Sequence, residues 1–214
     1  MPEDPSSTKP LVIGVLALQG AYEAHARTIR QLGAEPVLVR TADQLAGLDG
    51  LIMPGGESTT MLKFLERNGF FDVLQSFVQN TPTFGTCAGA ILLATDVENP
   101  PQRSLGALPM TIERNAYGRQ IDSTILDGEC ALPGGPLEMV FIRAPRIRST
   151  RPGVETLASR DGFPTLVRSG HLMAATFHPE LSSDTRVHQL FLDMARRHNT
   201  STQVPAARAN RPVK

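Results

Sequence analysis

The segment LVIGVLAL, residues 11–18, is apolar without a polar interruption, too short to cross a membrane and too uniform for a strand with one wet face. Such a run needs cover on both sides, which a strand inside a parallel sheet receives from helices on its two faces. A helical period follows at once: Tyr22, Ala26, Ile29 and Leu32 share one face, and Gly33 can close the helix. The alternation then repeats. PVLVR (36–40) and GLIMP (50–54) read as strands, STTMLKFLERNG (58–69) as a helix capped by Ser58 and ended by Gly69, PTFGT (82–86) as a fourth strand and AGAILLAT (88–95) as a helix. A three-layer α/β fold follows, with a mainly parallel central sheet and helices on both faces. From 105 to 170 the pattern changes to short β-like pieces (TILDG, LEMVFIR, FPTLVRS) between Gly and Pro, which predicts a small antiparallel extension. HLMAATF (171–177) reads as a last core strand, and Val187, Leu190, Phe191, Met194 and His198 as the face of a closing helix. The expected organisation is one domain over 10–198, between a flexible leader at 1–9 and a flexible tail at 199–214.

Charge and cysteine usage remove several function classes. Twenty-one Lys and Arg balance twenty-one Asp and Glu, so no long-range field steers the chain towards nucleic acid or an anionic membrane. Cys87 and Cys130 form no CxxC pair, and two cysteines in 214 residues suit a reducing compartment better than a disulfide scaffold. MPEDPSSTKP has no apolar segment of the kind a secretory signal needs, so a cytoplasmic protein is expected.

Chemistry-bearing residues fall where strands should end. In open α/β sheets, ligands bind in the crevice beyond the carboxyl ends of the strands. Gln19-Gly20 follows the first strand, Gly55-Gly56-Glu57 the third, Cys87 the fourth and His178-Pro179-Glu180 the last. Gly85-Thr86-Cys87-Ala88-Gly89 is the cysteine form of the G-x-S-x-G elbow, whose glycines permit a sharp turn that presents the nucleophile, and the dipole of the following helix favours a thiolate there. A free thiol is sparsely ionised near neutrality, so a base is also needed, and His178 can supply it. Residues two apart on a strand share a side, which would let Glu180 orient His178 as the third member of a triad. Gly56, lacking a side chain, lets a backbone N–H approach an oxyanion, with the N–H of Ala88 as second donor.

Other residues of these types have plainer readings. Cys130 sits in a turn-like segment and is structural. His25 and His188 fit helical faces, His171 and His198 lie near element ends, and all four are assigned to structure. H-x-E could hold a metal, but no third and fourth ligand stands at useful spacing, so neither a metal nor a cofactor is expected. Arg143, Arg146, Arg148 and Arg151 form a basic run of the sort that usually lines a solvated face, though a partner surface would also fit.

GTCAG, the distant HPE and PGGES together resemble a class I glutamine amidotransferase domain. GVLALQG (14–20), PGGESTTM (54–61), FGTCAG (84–89), ERNAYGRQ (113–120), FIRAP (141–145) and TFHPEL (176–181) are similar, more narrowly, to the glutaminase subunits of pyridoxal 5'-phosphate synthase. That resemblance implies a flavodoxin-like arrangement and hydrolysis of L-glutamine by Cys87, His178 and Glu180 through a thioester. It also implies glutamine binding by Gly55, Gly56, Glu57, Arg114, Ile142 and Arg143, no cofactor, and delivery of ammonia to a separate synthase subunit. Gln19 and Gly20, beside the Gly55-Gly56 turn, would form a partner-coupled switch. The alternatives are a glutaminase feeding another synthase, or a non-catalytic subunit of the same fold.

Overall fold

The computed structural model describes residues 9–116 and 124–203. In chain order its first half runs β1 (Val12–Leu16), α1 (Tyr22–Gln31), β2 (Glu35–Val39), β3 (Gly50–Met53), α2 (Ser58–Leu65), α3 (Phe70–Val78), β4 (Thr83–Thr86) and α4 (Ala88–Leu93). Then come β5 (Ala94–Glu98), β6 (Leu108–Glu113), β7 (Thr124–Cys130), β8 (Leu137–Phe141), β9 (Arg146–Thr150), β10 (Glu155–Arg160) and β11 (Phe163–Ser169). The chain closes with β12 (Leu172–Ala175) and α5 (Arg186–Gln203). Nine strands form one sheet in the order β2-β1-β3-β4-β12-β11-β10-β7-β8. Strands β2 through β12 in that order are parallel, and the remainder continue antiparallel. β5, β6 and β9 make a separate three-stranded sheet.

The unbroken apolar runs have the expected cause. Ile13 and Val15 of β1 enter a core with Ala26 and Ile29 of α1 and Val187 and Phe191 of α5. Leu16 joins the opposite core, with Met61, Leu65, Phe71 and Leu74 from α2 and α3. β3 divides in the same way, Ile52 to the first core and Leu51 and Met53 to the second. Each such side chain contributes about 1.5–3 kcal/mol when fully buried, and neither face of the strand can be polar without losing that.

Several boundaries differ from expectation. α2 stops at Leu65, and its N-cap is Glu57, not Ser58: the Glu57 carboxylate accepts the N–H groups of Thr59 and Thr60. Gly69, at φ +72°, does not end one long helix but starts α3, which buries Phe70, Phe71, Leu74 and Val78. Ala94 and Thr95, read as helical, open β5. α5 runs to Gln203, beyond the expected boundary at 198. There the apolar period has ended, and the Thr200 and Ser201 hydroxyls donate to the carbonyls of Arg196 and Arg197 one turn back. Residues 1–8 of the leader, 204–214 of the tail and Tyr117, Gly118, Arg119 and Gln120 of ERNAYGRQ lie outside the described residues. No helix among the described residues is long and apolar enough to cross a membrane. The basic run is partitioned: Arg151 pairs with Asp96 at 2.7 Å, Arg146 stacks over Phe163 with its guanidinium carbon 4.7 Å from the ring centre, and Arg143 turns to the cavity described next.

Candidate active site

Register brings the two signature motifs together. Thr86 of β4 pairs with Ala175 of β12, so GTCAG and HPE leave the sheet side by side. Cys87 stands at φ 47° and ψ −102°, between the last residue of β4 and the first of α4. A side-chain-bearing residue there is strained by roughly 1–3 kcal/mol and must be held. Its N–H donates to the Ala175 carbonyl at 2.9 Å, and its carbonyl accepts from Ile91 at 3.1 Å. The flanking glycines are packing requirements as much as turn formers. A Cβ on Gly85 would meet the Gly89 carbonyl carbon at 2.6 Å, and one on Gly89 would collide with the Met53 carbonyl.

His178 is anchored by its N–H, which donates to the Val140 carbonyl at 2.8 Å. Its Nδ1 meets Glu180 Oε1 at 2.8 Å. The pair does not arise from a shared strand face, as the sequence suggested. β12 has ended at Ala175, and Pro179–Leu181 form a 3₁₀ turn that folds Glu180 back onto the ring. Burial opposes a charged imidazole here, yet hydrogen bonds to Cys87 and Glu180 and the charges of both outweigh it, raising the His178 pKa to about 10. Burial would likewise raise Glu180, but His25 and His178 together hold it below the usual carboxylate range.

Cys87 and His178 line a cavity of about 210 Å³, below the roughly 300–1,000 Å³ typical of drug-sized ligands and suited to a small metabolite. Gly56, Glu57, Arg114, Ile142 and Arg143 line it as well, together with Ser58, Ile91 and Asn115, which the sequence reading missed. Gly55 lies under Cys87 and His178: a Cβ there would stand 3.3 Å from Cys87 Cβ and overlap the His178 ring. Arg114 donates to Thr59 Oγ1 at 2.7 Å and lies 3.5 Å from Glu57 Oε1. Burial opposes the Glu57 charge most strongly of any single influence, but bonds from the Thr60 hydroxyl and the Thr59 and Thr60 N–H groups together outweigh it and bring the pKa down to about 2. The rim therefore carries a fixed anion beside a fixed cation. Arg143, at φ 44°, is a second strained residue on this cavity.

Gln19 and Gly20 do not line the cavity; they pack against the turn that does. Gln19 Nε2 donates to the Glu57 carbonyl. Gly20, at φ +82°, leaves room for the Gly55 carbonyl, which any Cβ would strike. In a trans peptide the N–H points opposite to the carbonyl, so the Gly56 N–H faces away from Gly20. Ala88 opens α4, and the N–H groups of a first helical turn have no partner inside the helix.

His25 and His188, assigned to structure from their helical faces, stand behind Glu180. His25 Nε2 is 3.3 Å from Glu180 Oε2, and His25 Nδ1 is 2.9 Å from His188 Nε2. Helical period could flag both as buried but not what they meet. His171 and His198 each bond a backbone carbonyl, of Val78 and Asn80 respectively. Cys130 accepts the Leu132 N–H at 3.3 Å, away from the cavity.

Comparison with known proteins bears on this site. The sequence model of the SNO glutamine amidotransferase family matches residues 15–197. A protein of Koribacter versatilis called pyridoxal 5'-phosphate synthase subunit PdxT is 60% identical over 188 residues, covering 88% of this chain and 97% of its own. A namesake in Solibacter usitatus is 52% identical over 186 residues, covering 84% and 97%. A crystal structure described as a glutamine amidotransferase superposes with a TM-score of 0.80 at 45% identity, over 86% of this chain and 98% of that one. A structure from Thermoplasma acidophilum, described as a putative GMP synthase subunit, shares the fold at a TM-score of 0.70 and 16% identity, over 92% and 100%.

Proposed function

Since this chain belongs to the SNO glutamine amidotransferase family, we propose that Cys87, His178 and Glu180 hydrolyse L-glutamine to L-glutamate and ammonia. The observation that carries this reading is a thiol on a strained elbow, sharing one small cavity with an imidazole whose Nδ1 is held by a buried carboxylate. The Cys87 proton passes to His178, whose raised pKa holds it as imidazolium. The thiolate attacks the side-chain amide carbon. The tetrahedral oxyanion is received by the N–H groups of Gly56 and Ala88, and His178 gives its proton to the departing nitrogen. Ammonia leaves. A water, deprotonated by the same ring, then attacks the γ-glutamyl thioester, and glutamate and the resting thiolate–imidazolium pair are restored.

Glu57 and Arg114 suit the two charges of an amino acid backbone. The Glu57 carboxylate would take the α-ammonium, and the remaining donors of Arg114 the α-carboxylate. Gly55 and the Ile142–Arg143 backbone would complete the binding surface. The relatives' names support delivery of ammonia to a pyridoxal 5'-phosphate synthase, hence to a separate synthase subunit in a hetero-oligomer. Ammonia is mostly protonated in bulk water and no longer nucleophilic, so hydrolysis without an acceptor is wasteful. Gln19 and Gly20, which pack against the Gly55-Gly56 turn, would transmit partner contact to that peptide, whose lack of side chains lets it change orientation at little steric cost. The test is glutamate release with and without the synthase subunit. Turnover should depend on Cys87 and rise strongly on adding the subunit; turnover surviving in Cys87→Ala would overturn the assignment.

A further inference from the structure

Glu180 carries two oxygens, and the triad uses one. Oε1 binds His178 at 2.8 Å, while Oε2 is fully buried with no well-aligned hydrogen bond. It faces His25 Nε2 at 3.3 Å, a nitrogen that is also 3.3 Å from Thr86 Oγ1 at the end of β4. On its other side His25 meets His188 at 2.9 Å, and His188 Nδ1 has no partner among the described residues. Both rings are fully buried, His25 on α1 and His188 on α5, the two helices that cover the same face of the sheet.

These contacts fix where the protons sit. If His25 Nε2 carried its lone pair towards Glu180, a lone pair would face a buried carboxylate. His25 Nδ1–H would then donate to His188 Nε2, and His188 Nδ1 would be a buried N–H with no acceptor. The opposite arrangement avoids both faults. His25 Nε2–H points at Glu180 and Thr86, His188 Nε2–H donates to His25 Nδ1, and the atom left unpaired is an acceptor, which proteins tolerate more readily than an orphan donor. Burial, its largest influence, keeps His25 down against the pull of Glu180, and burial with His25 pushes His188 down to about 3. Two neutral rings can orient the carboxylate without neutralising it, so its charge stays available to His178.

We propose that His25 is a positioning residue for the hydrolytic centre: with its tautomer locked by His188, it restrains the second oxygen of Glu180 and thereby the direction in which Glu180 holds the His178 ring. This rests on the glutaminase reading above. Held by one oxygen on a short 3₁₀ turn, a Glu side chain keeps torsional freedom that a second contact removes. The groups facing His25 are Glu180 from the turn, Thr86 from β4 and His188 from α5, with His178 beyond the carboxylate. Among the described residues, Glu180 is the acid that acts on His25.

The experiment compares wild type with His25→Leu, His25→Gln, His188→Leu and Cys87→Ala, each assayed for glutamate release in complex with the synthase subunit. His25→Leu should lower kcat by roughly 10- to 100-fold, the scale of loss seen when an outer-shell partner of a metal-bound histidine or carboxylate is removed, with KM little changed. A less firmly oriented Glu180 supports the imidazolium less, so the alkaline limb of the kcat profile should also move to lower pH. His25→Gln, whose amide N–H can reach Glu180, should restore both. His188→Leu touches no triad member and should move the limb the same way by a smaller amount, because His25 can then flip its tautomer. An unchanged kcat and alkaline limb in folded His25→Leu or His188→Leu, while Cys87→Ala is inactive, would overturn the role of His25 and leave the glutaminase reading intact. Activity in Cys87→Ala would instead sink that reading.

Discussion

Gly55→Ala tests whether the turn beneath Cys87 and His178 confines the groups proposed to react. An added Cβ would stand 3.0 Å from His178 Nδ1 and 3.3 Å from Cys87 Cβ, with deeper overlap at His178 Cε1. Carbon pairs are comfortable at about 3.5–4.0 Å, so relief requires the ring or the turn to move by about 1 Å. If the ring moves, its 2.8 Å bond to Glu180 stretches past the ~3.2 Å limit of a good hydrogen bond. Misplacement on that scale costs about 100-fold in rate, or ~2.7 kcal/mol of barrier. Overpacking itself should cost about 1–3 kcal/mol of stability. Gly47→Ala is the control: at φ +76° with nothing within 4 Å, it adds strain of about 1–2 kcal/mol and no contact. Urea unfolding should therefore show comparable losses for the two variants, while kcat measured with the synthase subunit falls about 100-fold in Gly55→Ala alone. Full turnover in Gly55→Ala, or equal loss in both, would refute the idea that Gly55 sets the ring's position.

Cys87→Ala should abolish glutamate release without loss of the fold, and Cys130→Ala, whose sulfur accepts the Leu132 N–H away from the cavity, should be silent in the same assay. Because the folded-state pKa of His178 is raised from 6.5 to about 10, its contribution to stability is complete below pH 6.5 and disappears as pH rises through 10. The stability difference between wild type and His178→Asn, read from denaturant melts, should shrink over that window. Glu57 is shifted the other way, so its cap contribution is present above pH 4.5 and lost as pH falls through about 2; Glu57→Gln should flatten that acid limb by a modest amount, since the carboxylate is half-exposed. Arg114→Met should raise KM for glutamine more than it lowers kcat, and a pure kcat effect would remove it from substrate binding. Gln19→Ala should reduce stimulation by the synthase subunit more than it weakens glutamine binding, as titration of that subunit will show.

What could be read from the chain depended on how local the determinant is. β1, β3 and β12 were legible because helices cover both faces, and two-sided burial leaves an unbroken apolar string. α3 was hidden by Gly69: a left-handed glycine marks the end of one helix or the start of the next equally well, and here it marks a start. β5 was hidden because Ala94 and Thr95 continue a helical composition past the point where the chain turns into a strand. The pairing of His178 with Glu180 was anticipated from an alternation that does not apply, for Pro179 fixes its own φ and begins a 3₁₀ turn. His25 marks the boundary more sharply. The period of α1 says that His25 shares a buried face with Ile29, and a buried histidine next to aliphatic neighbours reads as core. That Glu180 waits on that face is decided by sheet order: β4 and β12 are neighbours although far apart in sequence, and α1 and α5 both cover the side where the HPE turn folds in. Periodicity yields the direction in which a side chain points; only topology supplies the group it meets, and a buried polar residue is where that difference matters most, because its partner decides whether it is merely satisfied or helps to hold a charge in place.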